Sequence, residues 1–76
     1  MNRVRRKSLQ DIMEQLESLK DELEGLLEEE EEYRDNIPEN LQGSERYEKA
    51  EDACSNLEDA VSTLEDVISS IEAATE

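Results

Sequence analysis

The side chains able to do chemistry in this 76-residue chain are almost all carboxylates. Asp and Glu number 23 against eight Lys and Arg, His is absent, and Cys54 is the one thiol. Five glutamates run without a break from Glu28 to Glu32. Carboxylates can bind a metal where several converge, act as acids or bases where burial shifts them, or take hydrogen bonds from a partner's cations. Each use demands a different spacing.

The metal pattern fails. In "DNIPENLQGSERYE", counted from Asp35, the third position is Ile37 and the sixth is Asn40. A calcium loop needs an oxygen ligand and a glycine there. A di-iron bundle needs Glu-x-x-His, and the chain has no His. Nothing resembles a glycine-rich phosphate loop or a nucleophile paired with a base. The sequence therefore predicts no enzyme, no cofactor and no metal. Carboxylates facing a cationic partner remain.

The elements that carry these groups can be read from apolar spacing. In the first half Leu9, Ile12, Leu16, Leu19, Leu23 and Leu26 alternate steps of three and four, and Tyr33 and Ile37 continue them. This is the a/d seam of a heptad pattern. Ser8 with Asp11 looks like a capping box, so the helix is expected over about residues 8–35, behind a basic tip at 1–7. Gly25 lies off the seam, at a cost of about 1 kcal/mol relative to Ala. Ile37 precedes proline, so the helix should end near Asp35 or Asn36. Pro38 can open a short turn through Leu41, Gly43 can release the backbone, and Ser44 can cap the next helix.

The second helix, expected at about 45–73, repeats every seven residues as "AEDACSN", "LEDAVST", "LEDVISS" and "IEAATE". Its seam is Tyr47, Ala50, Cys54, Leu57, Val61, Leu64, Ile68 and Ile71. In an antiparallel pair, facing residues have a constant number sum. A sum of 80 sets Leu9 against Ile71, Ile12 against Ile68, Leu16 against Leu64, Leu19 against Val61, Leu23 against Leu57, Leu26 against Cys54 and Tyr33 against Tyr47. One register satisfies every layer, so the expected fold is all-α: an antiparallel two-helix coiled-coil hairpin spanning residues 8–76, with its turn at 36–44. Apolar residues flanking the seam (Met13, Leu27, Ala53, Ala60, Val67 and Ala74) suggest self-association, with a four-helix bundle as its form.

Glu30 takes a seam position opposite Ala50. An isolated buried carboxylate is costly, and Arg34 four residues on is its expected partner. Cys54 on the seam reads as a buried core thiol, and a lone cysteine suits a reducing compartment. No apolar run reaches the roughly 20 residues of a membrane span. The basic start lacks the apolar region of a signal peptide. A cytoplasmic protein without membrane contact is expected.

Charge narrows the partner. Residues 8–76 hold four cations and 23 acids, a net −19. Direct nucleic-acid binding is excluded on that ground, because phosphates are repelled. Over helices about 45 Å long this is about one net charge per 2.4 Å, against about 1.7 Å in duplex DNA. The partner implied is a protein with a basic, nucleic-acid-binding surface. The residues expected to meet it are Glu28, Glu29, Glu30, Glu31, Glu32, Asp35 and Glu39 around the turn, with Glu51, Asp52, Glu58 and Asp59 along the second helix. The alternative is a structural homodimer or adaptor that uses the apolar flanks.

The stretch "DNIPENLQGSERYEKAEDA", Asp35 to Ala53, resembles a pattern in small acidic proteins of Firmicutes and their prophages. That resemblance implies a bacterial or phage setting and brings no site residues with it. Phages there encode short acidic inhibitors of host nucleic-acid enzymes, CRISPR nucleases among them. By that analogy the chain is expected to be a DNA-mimic inhibitor in the host cell.

Overall fold

Asn2 starts the first helix. In the computed structural model, which describes all 76 residues, its Oδ1 accepts from the Arg5 amide at 2.7 Å. Helix α1 then runs Arg3–Asp35, so the basic tip is its first turn and a half rather than a separate tail. Ser8 and Asp11 lie inside it. An Asn two residues from the start satisfies the orphan amides earlier than Ser8 could, and the good helix formers Arg5, Arg6 and Lys7 extend the helix forward.

The helix stops where proline requires it to. Asn36 is the C-cap, and the Ile37 amide still donates to the Arg34 carbonyl at 3.2 Å. Pro38 leads into a short 3₁₀ turn, Glu39–Leu41. Ser44 caps the second helix by accepting from the Tyr47 amide at 3.3 Å, and its hydroxyl donates back to the Leu41 carbonyl. Gly43 keeps a negative φ and a Cβ there would meet open space, so the turn requires neither a left-handed conformation nor a close approach at this position. Helix α2 spans Glu45–Thr75. The chain is a helical hairpin with no strands, and its Cα atoms fill 59 × 15 × 13 Å.

A rod two helices wide buries little. The buried residues are Ile37, Ala50, Cys54, Val61 and Ile68, four of them on α2. On α2 the predicted seam is the observed one: every residue of the a row (Tyr47, Cys54, Val61, Ile68) and the d row (Ala50, Leu57, Leu64, Ile71) is buried or half-buried. Arg46 of α2 bonds Tyr33 of α1, and Lys20 of α1 reaches Glu65 of α2. Tyr33 and Arg46 total 79, close to the predicted 80, while the long Lys20 side chain reaches a Glu65 five residues further along, at a total of 85.

On α1 the seam is rotated. The a row stays inside, with Leu9, Leu16, Leu23 and Glu30 half-buried and Ile37 buried. The predicted d row does not. Ile12 is 44% exposed, Leu19 55%, Leu26 57% and Tyr33 43%. The e row, Arg6, Met13, Lys20, Leu27 and Arg34, takes its place half-buried. The four predicted layers built on the d row, Ile12–Ile68, Leu19–Val61, Leu26–Cys54 and Tyr33–Tyr47, therefore change. Leu26 is turned outward at 57% exposure, while the buried Cys54 feels the charges of Arg34, Glu30 and Glu31 of α1. Tyr33 turns to Arg46, while Tyr47 lies near Arg34 and its own helix's Glu51.

The cause is the width of the apolar arc. On α1 it covers the d, a and e rows, about 100° of the helix from the 3.6-residue turn. One partner helix covers two such rows. Lys20 and Arg34 can fill the e row because their aliphatic stems pack against the seam while their charges reach outward.

Candidate functional site

The rotation gives the hairpin two unlike sides. On one, the e row of α1 alternates cationic and apolar residues (Arg6, Met13, Lys20, Leu27, Arg34) between two rows of carboxylates. Glu17, Glu24 and Glu31 form the row on α1, and Glu51, Glu58 and Glu65 the row on α2. Lys20 ties them together, its Nζ 4.0 Å from Glu24 and 3.9 Å from Glu65. Arg34 lies at the turn end of the same groove. Its Nε donates to Asp35 Oδ1 at 3.1 Å, and that hydrogen bond raises its already high pKa. The expected Glu30–Arg34 pair is replaced by this one.

Hydrogen bonding toward Glu51, with desolvation, holds the Tyr47 hydroxyl above the usual phenol range. Burial pushes the Cys54 thiol up as well. Cys54 is 1% exposed, so it is a neutral core group and not a nucleophile. No group of three or more His, Cys, Asp or Glu converges as metal ligands do. No helix is long and apolar enough to cross a membrane.

The opposite side carries the displaced d row of α1. Beside it lies the g row of α2: Arg46, Ala53, Ala60, Val67 and Ala74. Tyr33 and Arg46 show that these rows adjoin, since Arg46 Nε donates to Tyr33 Oη at 2.8 Å and the guanidinium carbon lies 5.2 Å from the ring centroid. An open recess of about 510 Å³ lies here, lined by Glu30, Tyr33, Glu45, Arg46, Lys49 and Ala50. Glu30 is thus opposite Ala50 as predicted, and the small alanine leaves its carboxylate open to water.

No family model matches the chain, and no curated protein or solved structure matches it. Function must therefore be read from the side chains.

The glutamate run is not a patch. Glu28 to Glu32 occupy heptad positions f, g, a, b and c, so successive members point about 100° apart around α1. Glu31 belongs to the acidic groove and Glu29 borders the apolar side. Glu28 and Glu32 are exposed, and Glu30 lines the recess. Of the other predicted contacts, Glu51 and Glu58 lie on the groove. Asp52 and Asp59 sit one position outside it, and Asp35 and Glu39 flank the turn. Glu17, Glu24, Glu65 and the cations between the rows escaped the sequence reading. Their signal was the seven-residue recurrence of Glu17, Glu24 and Glu31, with Lys20 and Arg34 fourteen residues apart.

The predicted association residues divide too. Met13 and Leu27 are half-buried in the e row and share no face with Val67. Ala53 and Ala60 are half-buried, and Val67 and Ala74 are exposed on the apolar side.

Proposed function

We propose that this hairpin is a non-enzymatic acidic rod that occupies a basic, nucleic-acid-binding groove of a partner protein, with carboxylates standing where phosphates otherwise lie. The supporting observation is the pair of level glutamate rows bordering Lys20. Within each row the step is seven residues, about 10.5 Å. That is close to three nucleotide rises of about 3.4 Å along one strand. Each row offers one carboxylate for about every three phosphates, in rigid geometry. Arg and Lys of the partner would meet them in charge-assisted hydrogen bonds.

The length of the folded rod tempers the charge density. Fifteen net charges over 59 Å is about one per 4 Å, sparser than the sequence estimate because both helices are longer and the basic first turn belongs to the rod. A single hairpin has under half the linear density of duplex DNA, at one per about 1.7 Å. It would match short basic grooves better than long ones. A bacterial or phage setting, with a host defence nuclease as the partner, is the specific form of this proposal.

The test is capture from a bacterial lysate at low and high salt, followed by competition with duplex DNA for each captured protein. The triple reversal Glu24→Lys, Glu58→Lys and Glu65→Lys should abolish capture and leave helicity intact. Captured proteins that duplex DNA does not displace, or capture that survives the reversal, would exclude the reading.

A further inference from the structure

The apolar side carries an inference that stands apart from the acidic groove. We infer that a second copy of this chain docks on it, the two hairpins lying face to face with their turns at the same end, as a four-helix bundle.

Three observations carry this. Ile12, Leu19, Leu26 and Tyr33 form an exposed row with a seven-residue step, and they adjoin the small residues Ala53 and Ala60. Taking the Tyr33–Arg46 bond as the marker of height, Leu26 lies level with Ala53, Leu19 with Ala60 and Ile12 with Val67. A long-axis two-fold sets α1 of each copy over α2 of the other at those same heights. Leu19 and Leu26 then sit over the alanines of the second copy, large against small, as close packing requires.

Charge is the second observation. Every acidic residue of α2 occupies its e, f or b row. Its d, g and c rows, which make up the apolar side and its rim, contain none. In a chain of net charge −15 this leaves the α2 half of the side free of acids, to receive the α1 half of a second copy with its rim residues Glu22 and Glu29.

The rims decide the orientation. With turns at the same end, Glu29 of one copy meets Lys49 of the other, Glu22 meets Asn56 and Gln15 meets Thr63. These three rim pairs bring no like charges together, and Glu30 and Glu45, which line the recess beside the turn, share that end with Arg46 and Lys49. With turns at opposite ends, α1 crosses α1 and Glu22 meets Glu22. The third observation is extent. The exposed row from Ile12 to Tyr33 covers about 32 Å of helix, and the whole 59 × 15 Å side is about 900 Å², so the row and its polar rims together reach the roughly 800 Å² per partner of a stable interface. Two copies also carry 30 net charges over 59 Å, about one per 2 Å, which approaches duplex DNA.

Sedimentation equilibrium of the full chain over a hundredfold concentration range reads the association. The expected mass is twice the 8.7 kDa of one chain, falling toward one at high dilution. Leu26→Glu, at a side chain exposed in the single hairpin, should weaken association more than about 100-fold while helicity at low concentration is kept. Lys49→Glu should weaken it several-fold, and adding Glu29→Lys should restore it. A mass of one chain throughout, which would leave the apolar side to a different partner, overturns the inference. So does a larger assembly, indifference to Leu26→Glu, or a charge swap that fails to restore association.

Discussion

Arg46 joins the helices beside the turn through Tyr33, donating from Nε to Oη at 2.8 Å with its guanidinium carbon 5.2 Å from the ring centroid. The pair fixes which rows adjoin on the open side, and it is testable by itself. Tyr33→Phe keeps the cation–π contact and loses the hydrogen bond. It should cost about 0.5–1 kcal/mol in chemical denaturation at low protein concentration. Arg46→Ala should cost more, and the double variant less than the sum of the two.

Leu26 and Leu27 are neighbours in sequence with opposite surroundings. Leu27→Ala opens the half-buried seam and should destabilise the single hairpin by about 2 kcal/mol. Leu26→Ala, at a 57% exposed position, should cost under about 0.5 kcal/mol in the same dilute urea titration. Equal costs would mean that α1 packs through its d row after all.

Alkaline pH should loosen the fold from the seam outward. Both the Cys54 thiol and the Tyr47 hydroxyl have folded pKa values raised above their ordinary 9.0 and 10.0. Their contribution is therefore fully present below those values and is lost as pH rises through the folded ones. Urea midpoints should hold from pH 7 to 8 and fall above about pH 9, first through Cys54 and then through Tyr47. Cys54→Ala should remove the earlier part of the decline. The thiol should react with a disulfide reagent only as fast as the protein opens.

Added salt should stabilise this protein. Its few ion pairs, such as Lys7 with Asp11 at 2.9 Å and Lys49 with Glu45 at 3.3 Å, are exposed, whereas repulsion among 23 acids acts along the whole rod. The melting midpoint should rise by several degrees between about 10 and 300 mM NaCl, followed by circular dichroism. A falling midpoint would show that the ion pairs outweigh the repulsion.

The caps should differ in reach. Ser44→Ala breaks the start of α2 next to the turn and should cost about 1 kcal/mol of global stability. Asn2→Ala should fray only the first turn of α1, because no loop is anchored there. Amide exchange resolves the two: protection should fall throughout the hairpin for the first variant and near Arg5 alone for the second.

Much of this protein is determined by sequence alone. Two helices, the break at Ile37–Pro38, the Ser44 cap, the α2 seam and a register near 80 all follow from periodicity and local hydrogen bonding, which act within a few residues. The α1 seam and the true position of the glutamates do not. Either flank of the a row of α1 can face α2 with it: the d row is apolar, and the e row joins Met13 and Leu27 to the long stems of Arg6, Lys20 and Arg34. The choice depends on the space that Ala50, Ala53, Cys54 and Ala60 leave across the interface, and on whether the Lys20 and Arg34 stems can pack there. Those are properties of both helices together. That choice turned Leu19 and Leu26 outward, drew Lys20 between Glu24 and Glu65, and divided Glu28 to Glu32 among different sides of the rod. A one-dimensional run of charge acquires a face only when the helix that carries it is rotated against its partner.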